Sequence, residues 1–154
     1  MEKARIFEDP LLVRTFGEEI ASWYRDVDTV VSPAVGAIPL GFAVAMAAGA
    51  RFVHAEREGD VMALRRGFRV EAGERVLVVE DVVTTGGSAA EVVDLIRALG
   101  ANVLGVAAMV DRSPGDLPFP FRALARVDAD AFEPEACPQC EQGRAITAPG
   151  SRHL

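Results

Sequence analysis

The run Val76-Leu77-Val78-Val79 constrains this chain more than any other stretch. Every residue in it is apolar, so a strand made from it must be covered on both faces, as the middle of a parallel sheet is. The run leads into two acids, Glu80 and Asp81, and then into a loop containing Thr84, Thr85, Gly86, Gly87 and Ser88. Residues 88–99 carry helix signals. Ser88 is a favourable N-cap, Glu91 stands three positions on, and Gly100 ends the segment. Val92, Ile96 and Leu99 are expected to face inward.

The alternation recurs along the chain. Residues 28–32 and 51–55 read as strands, and 103–110 (VLGVAAMV) as another buried one. Helices are expected over 11–25, with Leu12, Phe16, Ile20 and Trp23 on one face, and over 39–49, ending at Gly49. Residues 56–75 are dense in charge. Val61–Leu64 and residues 68–70 are candidate partners in a hairpin, and the rest reads as an exposed loop. Strand–helix–strand order at this spacing predicts an α/β fold with a doubly wound, mainly parallel sheet flanked by helices. Residues 1–154 are expected to form a single domain, of which 128–154 are a loop-rich tail holding Cys137 and Cys140.

Composition removes several functions. The chain is 50% hydrophobic, too apolar for disorder, and no apolar run approaches the ~18 residues of a membrane span. MEKARIFEDP lacks an apolar signal core, so the expected location is the cytoplasm. A net charge of -7 makes nucleic acid an unsuitable partner. Fifteen of the 16 basic residues are Arg and the only lysine is Lys3, which excludes a Walker-type phosphate loop and argues against a Schiff-base lysine. Two cysteines do not make a disulfide scaffold.

Within those bounds, the segment after Val79 has a specific chemistry. α/β proteins bind ligands at the C-terminal ends of parallel strands. Thr84, Thr85 and Ser88 offer hydroxyls, and Gly86 and Gly87 let backbone approach a ligand closely. The first N–H groups of the following helix lack internal partners, which suits a phosphate monoester without any lysine. Glu80 and Asp81 are placed to accept hydrogen bonds from sugar hydroxyls or to help hold Mg²⁺. The plainer alternative is that Ser88 only caps a helix and the acids are solvated.

Residues 76–88 together resemble the phosphoribosyl pyrophosphate (PRPP) signature of the type I phosphoribosyltransferases. The resemblance implies that Glu80 and Asp81 contact the ribose hydroxyls, that Thr84, Thr85, Gly86, Gly87 and Ser88 form the 5′-phosphate cradle, and that Val82 and Val83 between them also belong to the PRPP site. It implies Mg²⁺ as cofactor, carried by PRPP, with Asp81 the candidate protein contact. Residues 33–41 (PAVGAIPLG) resemble the pyrophosphate loop of orotate phosphoribosyltransferases, although that family often has Gly where Ala37 stands. On this likeness Ala34, Val35, Gly36 and Ala37 bind pyrophosphate. An ordinary strand-to-helix turn is the alternative. Asp111-Arg112-Ser113 is similar to the pair from which an Arg reaches the orotate carboxylate, so Arg112, with Thr84, is the candidate base contact. A surface Arg at a strand end is the alternative. The tail, with Cys137-Pro138-Gln139-Cys140 and Pro149-Gly150-Ser151-Arg152, resembles the ending of a bacterial and archaeal subgroup of orotate enzymes.

The implied reaction is phosphoribosyl transfer from PRPP to a nitrogenous base, foremost orotate, giving orotidine 5′-monophosphate and pyrophosphate in pyrimidine biosynthesis. The implied partners are PRPP, the base and a second subunit of a homodimer. Arg57 and Asp81 are the expected catalytic residues, with Arg57 offsetting leaving-group charge and a loop over 57–67 closing on the site. Two departures keep other readings open. The longer N-terminal segment that helps form the family's hood over the base has no counterpart in residues 1–10, so a reduced hood is expected. The loop also lacks the usual Lys and His. Arg57 is its best match, while Arg65 and Arg66 read equally well as a solvated face. The alternatives are a non-catalytic PRPP- or nucleotide-binding regulator and a phosphoribosyltransferase for another base. Cys137 and Cys140 are half of a zinc site that only a second chain can complete; reduced thiols are the default.

Overall fold

The computed structural model describes residues 3–128, 132 and 136–144. After a 3-10 turn at Lys3–Glu8 come α1 (Pro10–Ser22), β1 (Thr29–Pro33), α2 (Ile38–Ala48), β2 (Arg51–Glu58) and β3 (Val61–Leu64). They are followed by β4 (Arg75–Val83), α3 (Gly87–Ala98), β5 (Asn102–Asp111), β6 (Phe121–Arg126) and a one-turn α4 (Pro138–Glu141). The strands form one six-stranded sheet in the order β3-β2-β1-β4-β5-β6. All neighbours run parallel except β2 and β3, which are antiparallel.

The apolar run sits in the centre of this sheet, and its alternation explains the layers. Val76 and Val78 pack with Val92, Val93 and Ile96 of α3. Leu77 and Val79 point the other way and pack with Ile20 of α1 and with Leu40 and Val44 of α2. All four strand residues are fully buried. α1 starts on a side-chain cap: the amides of Leu11 and Leu12 donate to Asp9 Oδ1 at 3.0 and 3.2 Å, and Pro10 occupies the first turn. It crosses α2 closely at Gly17, where an added Cβ would stand 2.7 Å from the carbonyl carbon of Ala43.

Strand order fixes where a ligand can enter. From β1 the chain winds outward to β2 on one side and then returns to β4 on the other. β1 and β4 are therefore the strands at which the winding reverses, and a crevice opens beyond their C-terminal ends. Here β1 pairs with β4 only as far as Val31 opposite Val78, whereas β4 continues beside β5 to Val83 opposite Asp111.

Several local expectations are corrected. α3 begins at Gly87 with Gly86 as N-cap in the left-handed region (φ 78) and no side-chain cap bond. Ser88 lies inside the first turn and does not cap it. Leu99 is 41% exposed, and the buried face of α3 is instead Ala89, Val92, Val93 and Ile96. In α1 the buried positions are Val13, Gly17 and Ile20, and Leu12 lies outside them. Val61–Leu64 pairs with residues 55–58 rather than 68–70, because β2 runs on through Glu58 before turning. β6 carries no strand signal in its sequence and adds a half-buried parallel edge. No helix among the described residues is long and apolar enough to cross a membrane.

Candidate active site

The crevice between β1 and β4 is a cleft of about 470 Å³. Its floor is β4, whose Glu80 and Asp81 are 9% and 2% exposed. The acids lie within the strand rather than after it, and they are buried rather than solvated. The Asp81 amide donates to Glu80 Oε1 at 3.1 Å, and the Val82 amide to Asp81 Oδ1 at 2.7 Å. One wall is the turn after β1, from Pro33 to Gly36; the Ala34–Val35 peptide in it is cis. The other wall holds Arg57 of β2, Met62 of β3 and Ser88 of α3.

A second, smaller hollow of about 70 Å³ adjoins it, formed by the turn from β4 into α3. Val82, Val83, Thr84, Thr85, Gly86, Gly87 and Ser88 all line it, and Glu80 closes its base. Glu80, Val82 and Ser88 are common to both spaces, so the two form one continuous site. Thr85 Oγ1 accepts the Gly87 amide at 3.4 Å, and Ala90 N–H closes the first helical turn on Gly86 O at 2.8 Å. The remaining first-turn amides have no partner within the helix. Its left-handed backbone favours glycine, and an added Cβ on Gly86 would also stand 2.7 Å from Leu117 Cδ2, the mobile end of a half-buried side chain.

The other residues singled out from the sequence fall around this site. Ala37 is 1% exposed at the N-cap of α2, below the turn and outside the cleft lining. Arg57 lies in β2, not in a loop. Its Nη1 donates to Asp60 O at 2.8 Å and its Nη2 to Glu91 Oε1 at 3.0 Å. Arg65 and Arg66 face acids of β2, Glu58 and Glu56 respectively, and neither lines the cleft. Arg112 is exposed at the end of β5, and its backbone N–H donates to Val83 O at 2.8 Å. That bond ties its main chain to the strand that carries the acids, while Arg112 itself lines neither cavity.

Among the described residues no group of three or more His, Cys, Asp or Glu could hold a metal ion. The oxygen pair of Glu80 and Asp81 nevertheless suits a hard cation that brings most of its own ligands. Mg²⁺ fits that description, since it is usually held by one or two carboxylates with phosphate oxygens and water.

Residues 6–119 match the phosphoribosyl transferase domain family. The chain is 46% identical over 158 aligned positions to an orotate phosphoribosyltransferase of Caldanaerobacter subterraneus subsp. tengcongensis, covering 100% of this chain and 83% of that protein. It is 50% identical over 155 positions to the orotate phosphoribosyltransferase of Thermotoga maritima, covering 98% of this chain and 83% of that one. The chain belongs to the phosphoribosyltransferase family, on its orotate branch. The crystal structure of adenine phosphoribosyltransferase from Thermoanaerobacter pseudethanolicus superposes with a TM-score of 0.70 at 19% identity, covering 79% of this chain and 84% of that one, and shares the fold.

For a member of this family, the sequence reading overlooked some of the supports. Met62 lines the cleft without polar chemistry to mark it. Asp111 accepts the Ser113 amide at 2.8 Å, the Ser113 hydroxyl at 2.6 Å and Arg126 Nη1 at 3.1 Å. Burial acts to raise the Asp111 pKa, but the Ser113 hydroxyl and amide and the Arg126 charge outweigh it and hold the carboxyl below the usual range. This cluster fixes the turn that follows Arg112, and Arg126 comes from the unforeseen β6. Cys137 and Cys140 are free thiols at α4 and line neither cavity. Bonds from Cys140 to the Cys137 thiol lower its pKa. Residues 149–152 lie outside the described residues.

Proposed function

We propose that the chain, as one domain, transfers the phosphoribosyl group of PRPP to orotate, giving orotidine 5′-monophosphate and pyrophosphate. The observation that carries this reading is the buried pair Glu80 and Asp81 between two strand-to-helix turns in one crevice. The names of the relatives supply the base. The two acids accept hydrogen bonds from the ribose hydroxyls, and the turn at 84–88 holds the 5′-phosphate with backbone N–H groups. The turn at 34–36 and Arg57 receive the pyrophosphate, and Arg112 receives the carboxylate of the base. A ring nitrogen of orotate displaces pyrophosphate at the anomeric carbon, so no covalent intermediate with the protein is needed. The side chains work by positioning and by neutralising charge. Mg²⁺ bound with PRPP supplies further neutralisation of the pyrophosphate.

A homodimer is part of the proposal. Leu11, Val35, Phe42 and Met46 are 67%, 71%, 53% and 69% exposed. Three of them, Leu11, Phe42 and Met46, line an apolar groove of about 580 Å³ between α1 and α2, which a second copy would cover. Sedimentation of a Met46→Glu variant tests this, with a monomer as the expected result.

A spectrophotometric assay with PRPP, Mg²⁺ and orotate, run beside uracil and hypoxanthine, tests the reaction. Orotate consumption that Arg112→Ala abolishes is expected. No turnover with any base, together with measurable PRPP binding, would overturn the enzyme reading in favour of a PRPP-binding regulator.

A further inference from the structure

Arg57 is held before any ligand arrives. Its Nη1 donates to Asp60 O at 2.8 Å within the β2–β3 hairpin. Its Nη2 lies 3.0 Å from Glu91 Oε1 and 2.9 Å from Glu91 Oε2. Glu91 belongs to α3, one turn beyond Gly87 and Ser88 of the small hollow. One carboxylate thus links the hairpin bearing the cleft's cation to the helix whose first turn forms the phosphate cradle. An arginine has five N–H donors in a fixed fork, so these bonds leave others to face the cleft that Arg57 lines.

The side chains of Arg57 and Glu91 are 34% and 41% exposed. An ion pair this open adds little to stability. Its consequence is directional: a long, rotamer-rich side chain is fixed where a ligand would otherwise have to order it.

We infer that Glu91 is a positioning residue, which sets Arg57 at the pyrophosphate end of the cleft in register with the phosphate cradle. The inference rests on the reading of Arg57 as the cation that receives pyrophosphate. It makes a prediction opposite to that of simple charge counting. Removing a carboxylate near an anion site should tighten anion binding if only net charge matters. Removing a positioning carboxylate should weaken it.

The test measures kcat, the KM for each substrate and inhibition by inorganic pyrophosphate in the wild-type chain, Glu91→Ala, Glu91→Gln, Arg57→Ala and the Arg57→Ala/Glu91→Ala double variant. Glu91→Ala is expected to raise the pyrophosphate inhibition constant and the PRPP KM about fivefold, without changing the orotate KM. Glu91→Gln, which keeps an acceptor oxygen, is expected to fall between. In the Arg57→Ala background, Glu91→Ala is expected to add nothing, because its effect runs through the guanidinium. Unchanged or tighter pyrophosphate inhibition in Glu91→Ala, or full additivity in the double variant, would overturn the inference. If Arg57→Ala itself leaves these constants unchanged, the assignment of Arg57 fails, and the positioning role fails with it. Thermal unfolding of each variant separates a positioning effect from loss of the fold.

Discussion

The two strand-to-helix turns that flank the cleft face the same space and are built by different means. The turn from β4 into α3 shapes itself: Gly86 takes a left-handed backbone under Leu117, and Thr85 bonds the next helical amide. The turn from β1 into α2 likewise has no side-chain cap, but its N-cap Ala37 has an ordinary right-handed backbone that begins the helix. It is placed from below. At Gly41 of α2 an added Cβ would stand 2.0 Å from Ser32 Oγ of β1 and 2.8 Å from Phe52 Cε2 of β2. One turn is thus specified by its own residues and the other by how closely its helix lies on the sheet. The first is expected to bind a phosphate monoester and the second pyrophosphate.

The contrast can be broken by substitution. Gly86→Val is expected to have the largest effect, about 3 kcal/mol of stability, from a branched residue held at positive φ, with Leu117 having to shift beside it. Chemical denaturation measures it, and titration with ribose 5-phosphate should show lost affinity while pyrophosphate still binds. Gly41→Ala is expected to cost about 2 kcal/mol by overpacking Ser32 and Phe52. Its ligand effect should be the reverse, with pyrophosphate weakened more than ribose 5-phosphate. If both variants weaken both ligands equally, the two turns are not separate sites.

A third prediction concerns the cluster that anchors Arg112. The Asp111 carboxyl is more acidic in the folded chain than in an unfolded one. Its contribution to stability is therefore full above the ordinary carboxylate value of about 3.9, and it is lost as pH falls through the lowered value. Asp111→Asn is expected to cost about 1 kcal/mol near neutral pH, by weakening bonds to Ser113 and Arg126. The gap to wild type should shrink as denaturation is repeated toward about pH 2. A gap that widens in acid would refute the assignment. The smallest effect is expected at Ser88→Ala. Ser88 makes no cap bond, so stability should change by less than about 0.5 kcal/mol while affinity for ribose 5-phosphate falls. A loss as large as that of a true N-cap would restore the capping role expected from the sequence.

The same contrast explains what could be read in advance. The β4 segment announced itself because a fully buried strand, two acids and a glycine-bearing turn stand in one uninterrupted run of sequence. The details that failed depend on partners elsewhere in the chain. Ser88 is an exception decided locally: the chain enters α3 at Gly86, whose positive φ favours glycine, so Ser88 falls inside the first turn. The partner of Val61–Leu64 was misjudged because the charged residues 56–58 carry no burial signal, yet they extend β2. β6 escaped notice because its Phe121–Arg126 segment is a half-buried edge following three prolines, so neither apolar alternation nor turn spacing marks it. The Asp111–Ser113–Arg126 cluster was invisible for the same reason, since its cation comes from that strand.

The central claim is that the buried acids of β4 hold the sugar of PRPP. Calorimetric titration of the wild-type chain and of Asp81→Asn with PRPP and Mg²⁺ tests it most directly. The account predicts saturable binding to the wild type and an affinity lower by about tenfold or more in the variant, the loss of charge-assisted bonds in a desolvated site. Equal affinity in the two proteins would contradict it.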